Sequence, residues 1–154
     1  MSSIFHKIKT AAGLSARQWL LLVQAWPVLL YIRLRMDLTP FKSWKSWLAN
    51  APTSRQGDLS SGQIESLALT RNMVTLASRY HFINANCLPR SLTLKWLLAR
   101  QGIDSELNMG LNLDNNEFHG HAWLVRDGRV LNDSANVSTR YPVKQEIGQR
   151  PLTG

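Results

Sequence analysis

The spacing of apolar residues changes character twice along the chain. From Leu14 to Met36 they cover most sides of a 3.6-residue helix, with Pro27 inside it predicting a kink. The stretch from Trp19 to Ile32 is the most apolar, yet it is shorter than the roughly 20 residues of a bilayer span. It also contains Gln24 and Pro27 and is flanked by Arg17, Arg33 and Arg35. The segment that follows, Arg33-Leu34-Arg35-Met36-Asp37, lacks the small residues of an export cleavage site. The pattern therefore predicts a buried amphipathic helix and no stable membrane span. Trp44, Trp47 and Leu48 sit at helical spacing and predict a second, shorter helix. Ala49 to Ser60, with Pro52 and Gly57, reads as a linker. Ser60 and Gln63 have capping-box spacing and open a helix reaching about Tyr80, with Leu69, Met73, Leu76 and Tyr80 as its apolar stripe.

Cys87 to Gln101 predicts another helix. Asn86 is its expected N-cap, Pro89 is tolerable in the first turn, and Gly102 marks the stop. Beyond Gly102 the period shortens to two. Ser105 to Leu113 alternates, Asp114-Asn115-Asn116 is a turn, and Phe118 to Val125 is strand-like, with Ala122 and Leu124 opposite in phase to Trp123 and Val125. Asp127-Gly128 is a two-residue hairpin signal leading into Val130-Leu131. The tail from Ser134 is polar, contains Pro142 and Pro151, and shows no readable period. Helices first and an antiparallel meander afterwards predict an α+β fold: a single domain over 1–154, with a helical region at 14–80 and a second part at 81–154.

Composition narrows the function classes. A chain of 154 residues has room for one domain, and 44% hydrophobic against 18% charged residues supplies a core. Eighteen Lys and Arg against ten Asp and Glu give a net charge of +8, which suits an acidic partner: nucleic acid, an anionic membrane or an acidic peptide. The sheet region lacks the basic and aromatic stripe that RNA-binding sheets use, which argues against nucleic acid. One cysteine excludes an intrachain disulfide framework and a Cys-rich zinc site, and makes a reducing cytoplasm the expected compartment. No glycine-rich dinucleotide or nucleotide loop appears, so no cofactor is expected.

The chemistry-bearing residues are Cys87, His121 and Asp133. A cysteine at a helix start lies among unpaired backbone N–H groups, which stabilise a thiolate or a developing oxyanion, and Arg90 adds positive charge nearby. A thiol nucleophile needs a base, and the base needs a carboxylate to fix its tautomer. His121 on a strand and Asp133 just past the next one can fill those roles. His119 shares a strand face with His121 and is the competing base. A His119/His121 metal pair lacks a third ligand. Against all this stands the inert alternative of a buried cysteine, a core histidine and a turn aspartate.

The chain also resembles a family. The carriers are Asn86-Cys87-Leu88-Pro89-Arg90-Ser91-Leu92, Leu97-Leu98-Ala99-Arg100-Gln101-Gly102-Ile103, His121-Ala122-Trp123 and Gly128-Arg129-Val130-Leu131-Asn132-Asp133. Together they are similar to the leader peptidase of lasso-peptide biosynthesis, a relative of the transglutaminase-like cysteine proteases. The resemblance implies a papain-like, transglutaminase-like cysteine protease core at 81–154, with a nucleophile-bearing helix packed on an antiparallel sheet. In it Cys87 is the nucleophile, His121 the general base and acid, and Asp133 the orienting carboxylate. It further implies a precursor peptide as substrate, and an asparagine-synthetase-like, ATP-using cyclase that acts after leader removal. A chain of this length implies the split form, which relies on a separate small winged-helix leader-recognition protein. The basic surface and Trp44/Trp47 are candidates for contacting that partner or the leader. Two other functions fit the same residues: acyl transfer to an amine, as in a transglutaminase, and a non-enzymatic basic module that binds peptide or nucleic acid.

Overall fold

Among the described residues three long helices precede the sheet, and the first two start where a serine and a glutamine satisfy free backbone donors of the opening turn. In the computed structural model, which describes residues 13–40, 43, 57–80, 86–114 and 117–147, helix α1 spans Ala16–Leu38. Ser15 caps it: its hydroxyl accepts the Gln18 N–H, and the Gln18 side chain accepts the Ser15 N–H at 2.7 Å. The helix runs on through Pro27. It buries one stripe, Leu21, Ala25, Leu29 and Ile32, rather than most of its surface. Trp19, Leu20, Val23, Tyr31, Leu34 and Leu38 remain exposed on the other side. By length and composition α1 is also long and apolar enough to cross a membrane. The expected short helix at Trp44, Trp47 and Leu48 and most of the linker lie outside the described residues.

Helix α2, Ser61–Tyr80, opens on the expected capping box of Ser60 and Gln63. Of the expected stripe Met73 is buried, Leu69 and Leu76 are half-buried and Tyr80 is exposed, while Ser66, Thr70, Val74 and Ala77 also turn inward. The reason is a polar cluster that ties three helices together. Arg17 donates to the Ser66 hydroxyl at 2.9 Å, Ser66 donates to Gln101 Oε1 at 2.6 Å, and Gln101 Nε2 donates to Thr70 at 3.0 Å. With its hydrogen bonds made, the small polar edge of α2 can be buried. Helix α3, Cys87–Arg100, ends at Gly102 with φ +71°. The Gly102 N–H reaches the Ala99 carbonyl and the Ile103 N–H the Leu98 carbonyl, a Schellman stop that favours glycine.

The sheet is antiparallel, with strands in the order Arg129–Val130, Glu117–Arg126, Glu106–Asp114 and Val143–Ile147 across it. Strand β1 is Glu106–Asp114, β2 is Glu117–Arg126 and β3 is Arg129–Val130. Asp127 and Gly128 both have positive φ, as a type I′ hairpin requires. The tail holds two elements that its sequence pattern does not announce: a short helix α4, Val137–Arg140, and β4, Val143–Ile147, which pairs with β1 on the far edge. The sheet is therefore not a simple meander, because the chain crosses from one edge to the other after β3. Helices α1, α2 and α3 pack on one another, and α3 packs on β1 and β2. Leu107, Ala122 and Leu124 face the helices and join Leu29, Val74, Leu94 and Leu98 in the core. Each fully buried leucine there contributes about 1.5–3 kcal/mol. Trp123, in the opposite phase, is 0% exposed, so the sheet is covered at that point on its other face as well.

Candidate active site

Cys87 is the first residue of α3 and is half-buried. The first hydrogen bond of that helix runs from the Arg90 N–H to the Asn86 carbonyl at 3.2 Å. The Cys87 and Leu88 N–H groups are thus among the opening donors without an intrahelical partner. Asn86 stands in the N-cap position with extended backbone, but its side chain makes no cap bond, which differs from the capping role expected of it. The thiol and His121 line one cavity of about 350 Å³, together with Leu88, Met109, Gly110, Leu111, Gly120 and Ala122.

His121 lies on β2 opposite Gly110. Its Nε2 is 2.6 Å from Asp133 Oδ2, and both side chains are about four-fifths buried. The other carboxylate oxygen, Oδ1, accepts the Ser134 N–H at 2.7 Å. Burial works to raise the pKa of this carboxyl, but the bond from His121, the bonds from Ser134 and the imidazole charge outweigh it and hold the pKa below its ordinary value of 3.8. Asp133 is therefore an ionised acceptor at neutral pH. It fixes the tautomer in which Nε2 carries the proton and Nδ1 is the bare nitrogen. His119, exposed and paired across the ladder with Asn112, is not part of the cavity lining. Among the described residues no group of three His, Cys, Asp or Glu side chains could hold a metal.

A second set of residues braces this arrangement. The Ser91 hydroxyl, one turn along α3 from Cys87, donates to the Ala122 carbonyl at 3.0 Å and accepts from Asn132 Nδ2 at 2.8 Å. Asn132 Oδ1 in turn accepts the Leu124 N–H at 2.8 Å. One connected network thus links the cysteine helix, the neighbour of His121 and the neighbour of Asp133. Tyr141 stacks on the imidazole with ring centroids 4.8 Å apart, and Trp123 lies beyond at 6.1 Å. Sequence reading did not assign roles to Ser91, Asn132 or Tyr141. A polar residue four positions after a helix-start cysteine, and the Asn132-Asp133 doublet, were the available signals. Tyr141 gave none, because it sits in the tail without period.

The transglutaminase-like superfamily, as a sequence family, matches residues 28–145. No curated protein and no solved structure matches the chain.

Proposed function

The chain belongs to the transglutaminase-like superfamily, whose members are typically cysteine-dependent enzymes, and from that premise we propose that it is a cytoplasmic cysteine peptidase. Its substrate is a ribosomally made lasso-peptide precursor, from which it removes the leader. The observation that carries this reading is the 2.6 Å bond between His121 Nε2 and Asp133, beside a cavity that His121 shares with Cys87. That bond leaves Nδ1 as the nitrogen available to a thiol.

In this mechanism His121 Nδ1 takes the Cys87 proton as sulfur attacks the carbonyl at the end of the leader. The oxyanion that forms is met by the Cys87 N–H at the start of α3. The imidazolium, stabilised by Asp133, then gives its proton to the departing amine, which is the new amino terminus of the core peptide. Water, deprotonated by the same imidazole, attacks the thioester and frees both the leader acid and the thiol. A small winged-helix protein presents the leader, and an asparagine-synthetase-like cyclase consumes the freed amino terminus. The support for both partners is the resemblance carried by the four motifs between Asn86 and Asp133.

The test is intact-mass spectrometry of precursor peptides encoded beside this chain, incubated with the protein, with and without the leader-binding protein. The expected products are two fragments whose masses sum to precursor plus one water. The rate should rise at least roughly tenfold with saturating partner, about 1.4 kcal/mol of apparent transition-state stabilisation. An amine adduct in place of hydrolysis would make the enzyme an acyl transferase. Equal products from wild type and Cys87→Ala would end the cysteine mechanism.

A further inference from the structure

Helix α1 is apolar on two opposite sides. One side carries Leu21, Ala25, Leu29 and Ile32 inward, and Ala25 and Leu29 are 0% exposed in the core. On the other side Leu20, Val23, Pro27, Tyr31, Leu34 and Leu38 recur at steps of three and four residues, and all of them are exposed. At 1.5 Å per residue this second stripe runs for about 27 Å. Its members are well out in solvent: Val23 is 61% exposed and Leu38 79%. Single surface leucines need no explanation, but a continuous apolar stripe marks a surface that another body covers.

The flanks of the stripe identify that body. Arg17 and Arg35, five turns apart, stand on the same flank with Gln24 between them, and all three are exposed. Arg17 keeps donors to spare beyond the one that reaches Ser66. On the opposite flank Asp37, the single acidic residue of α1, is neutralised by Arg33 at 3.1 Å. The rim is therefore basic, on a chain of net charge +8. A second copy of α1 fits such a rim poorly. Parallel or antiparallel, Arg17 and Arg35 would meet their own counterparts, where paired helices set opposite charges. Between the flanks only Tyr31 carries a polar side-chain atom, so a protein partner would find almost no directed hydrogen bond there. Trp19 and Tyr31, both exposed, have the amphipathic rings enriched where hydrocarbon meets headgroups. An apolar stripe with a cationic rim and such rings matches the surface of an anionic bilayer.

We propose that α1 docks the protein on an anionic membrane. The helix lies in the plane of the interface, with Leu20, Val23, Leu34 and Leu38 against the acyl boundary and Arg17 and Arg35 among the headgroups. Its length and composition would suffice for a span, but its inner side is held in the core against α2 and α3. Pro27 points the same way: it has no N–H for the Val23 carbonyl, a group that the interface hydrates and hydrocarbon would leave bare. This contact is independent of the peptidase reading, and it confines whatever chemistry Cys87 performs to the membrane surface.

The test is flotation of the full chain with vesicles of phosphatidylcholine alone and of phosphatidylcholine with about one-third phosphatidylglycerol. Binding should be at least about tenfold tighter to the anionic vesicles, about 1.4 kcal/mol. Raising salt from about 0.05 M to about 0.5 M should remove most of that difference. Arg35→Gln should weaken binding to the anionic vesicles and leave the phosphatidylcholine value unchanged. The double variant Val23→Gln, Leu34→Gln places uncharged helix formers at exposed positions only. It should lose at least about tenfold on anionic vesicles, with its circular dichroism unchanged and its urea midpoint not lowered. No flotation of wild type, equal binding to the two vesicles, or unaltered binding of the double variant would overturn the proposal. So would a wild-type dimer that ignores vesicles and dissociates in the double variant, seen by analytical ultracentrifugation, which would assign the stripe to a second copy.

Discussion

Ser91→Ala is the sharpest test of how the helix that carries Cys87 is held against the strand that carries His121. The hydroxyl is 0% exposed and makes two bonds, one to the Ala122 carbonyl and one from Asn132 Nδ2. Removing it leaves both partners wanting. Asn132 is only half-buried and can recover a water, so the main cost is the buried Ala122 carbonyl. An unsatisfied group of that kind costs about 1–3 kcal/mol. The stability loss should fall in that range and is measured by urea denaturation. The functional loss should exceed what stability explains, because Ser91 ties the turn carrying Cys87 to the strand carrying His121. A displacement of about 1 Å in such a pair costs on the order of a hundredfold in rate. Leader cleavage by folded Ser91→Ala, or the alkylation rate of Cys87 where no substrate is in hand, reads that loss. A double-mutant cycle with Asn132→Ala isolates the bond between the two side chains. The expected coupling is about 0.5–1.5 kcal/mol. Strict additivity, with alkylation unchanged in the single variant, would refute the idea that this network positions the site.

Four further outcomes follow from the same geometry. Cys87→Ala should abolish cleavage while keeping the fold, and wild type should take one iodoacetamide label with parallel loss of activity, both read by mass spectrometry. His121→Ala should be as damaging as loss of the thiol and Asp133→Asn somewhat less, whereas an inactive His119→Ala beside an active His121→Ala would reassign the base. Gly110→Ala should lower stability by about 1–3 kcal/mol, seen in the urea midpoint, because its Cβ meets backbone rather than a movable side chain. Asp133 has a folded pKa below its ordinary 3.8, so its contribution to stability is present above that value and lost as pH falls through the lowered one. Denaturation midpoints between about pH 6 and about pH 2 should fall less steeply in Asp133→Asn than in wild type.

Much of this molecule is written locally. The Ser60 and Gln63 capping box, the Gly102 stop and the Asp127-Gly128 turn each act over a few residues, so short sequence patterns were enough to place α2, α3 and the β2–β3 hairpin. The candidate triad was legible for a related reason: a cysteine at a helix start, a histidine on a strand and an aspartate after the next strand are recognisable positions even before they are brought together. The contacts among them were not. That His121 uses Nε2 for Asp133, that Ser91 and Asn132 brace the helix against the strand, and that Tyr141 stacks on the imidazole depend on elements distant in sequence meeting across the sheet. The buried stripe of α2 shifted from its apolar pattern because Arg17 on α1 and Gln101 at the end of α3 satisfy Ser66 and Thr70. Strand β4 escaped notice because its place is set by pairing with β1, not by its own polar sequence. Periodicity and capping are properties of neighbours along the chain, whereas register, buried polar satisfaction and cavity shape exist only once separate segments are packed.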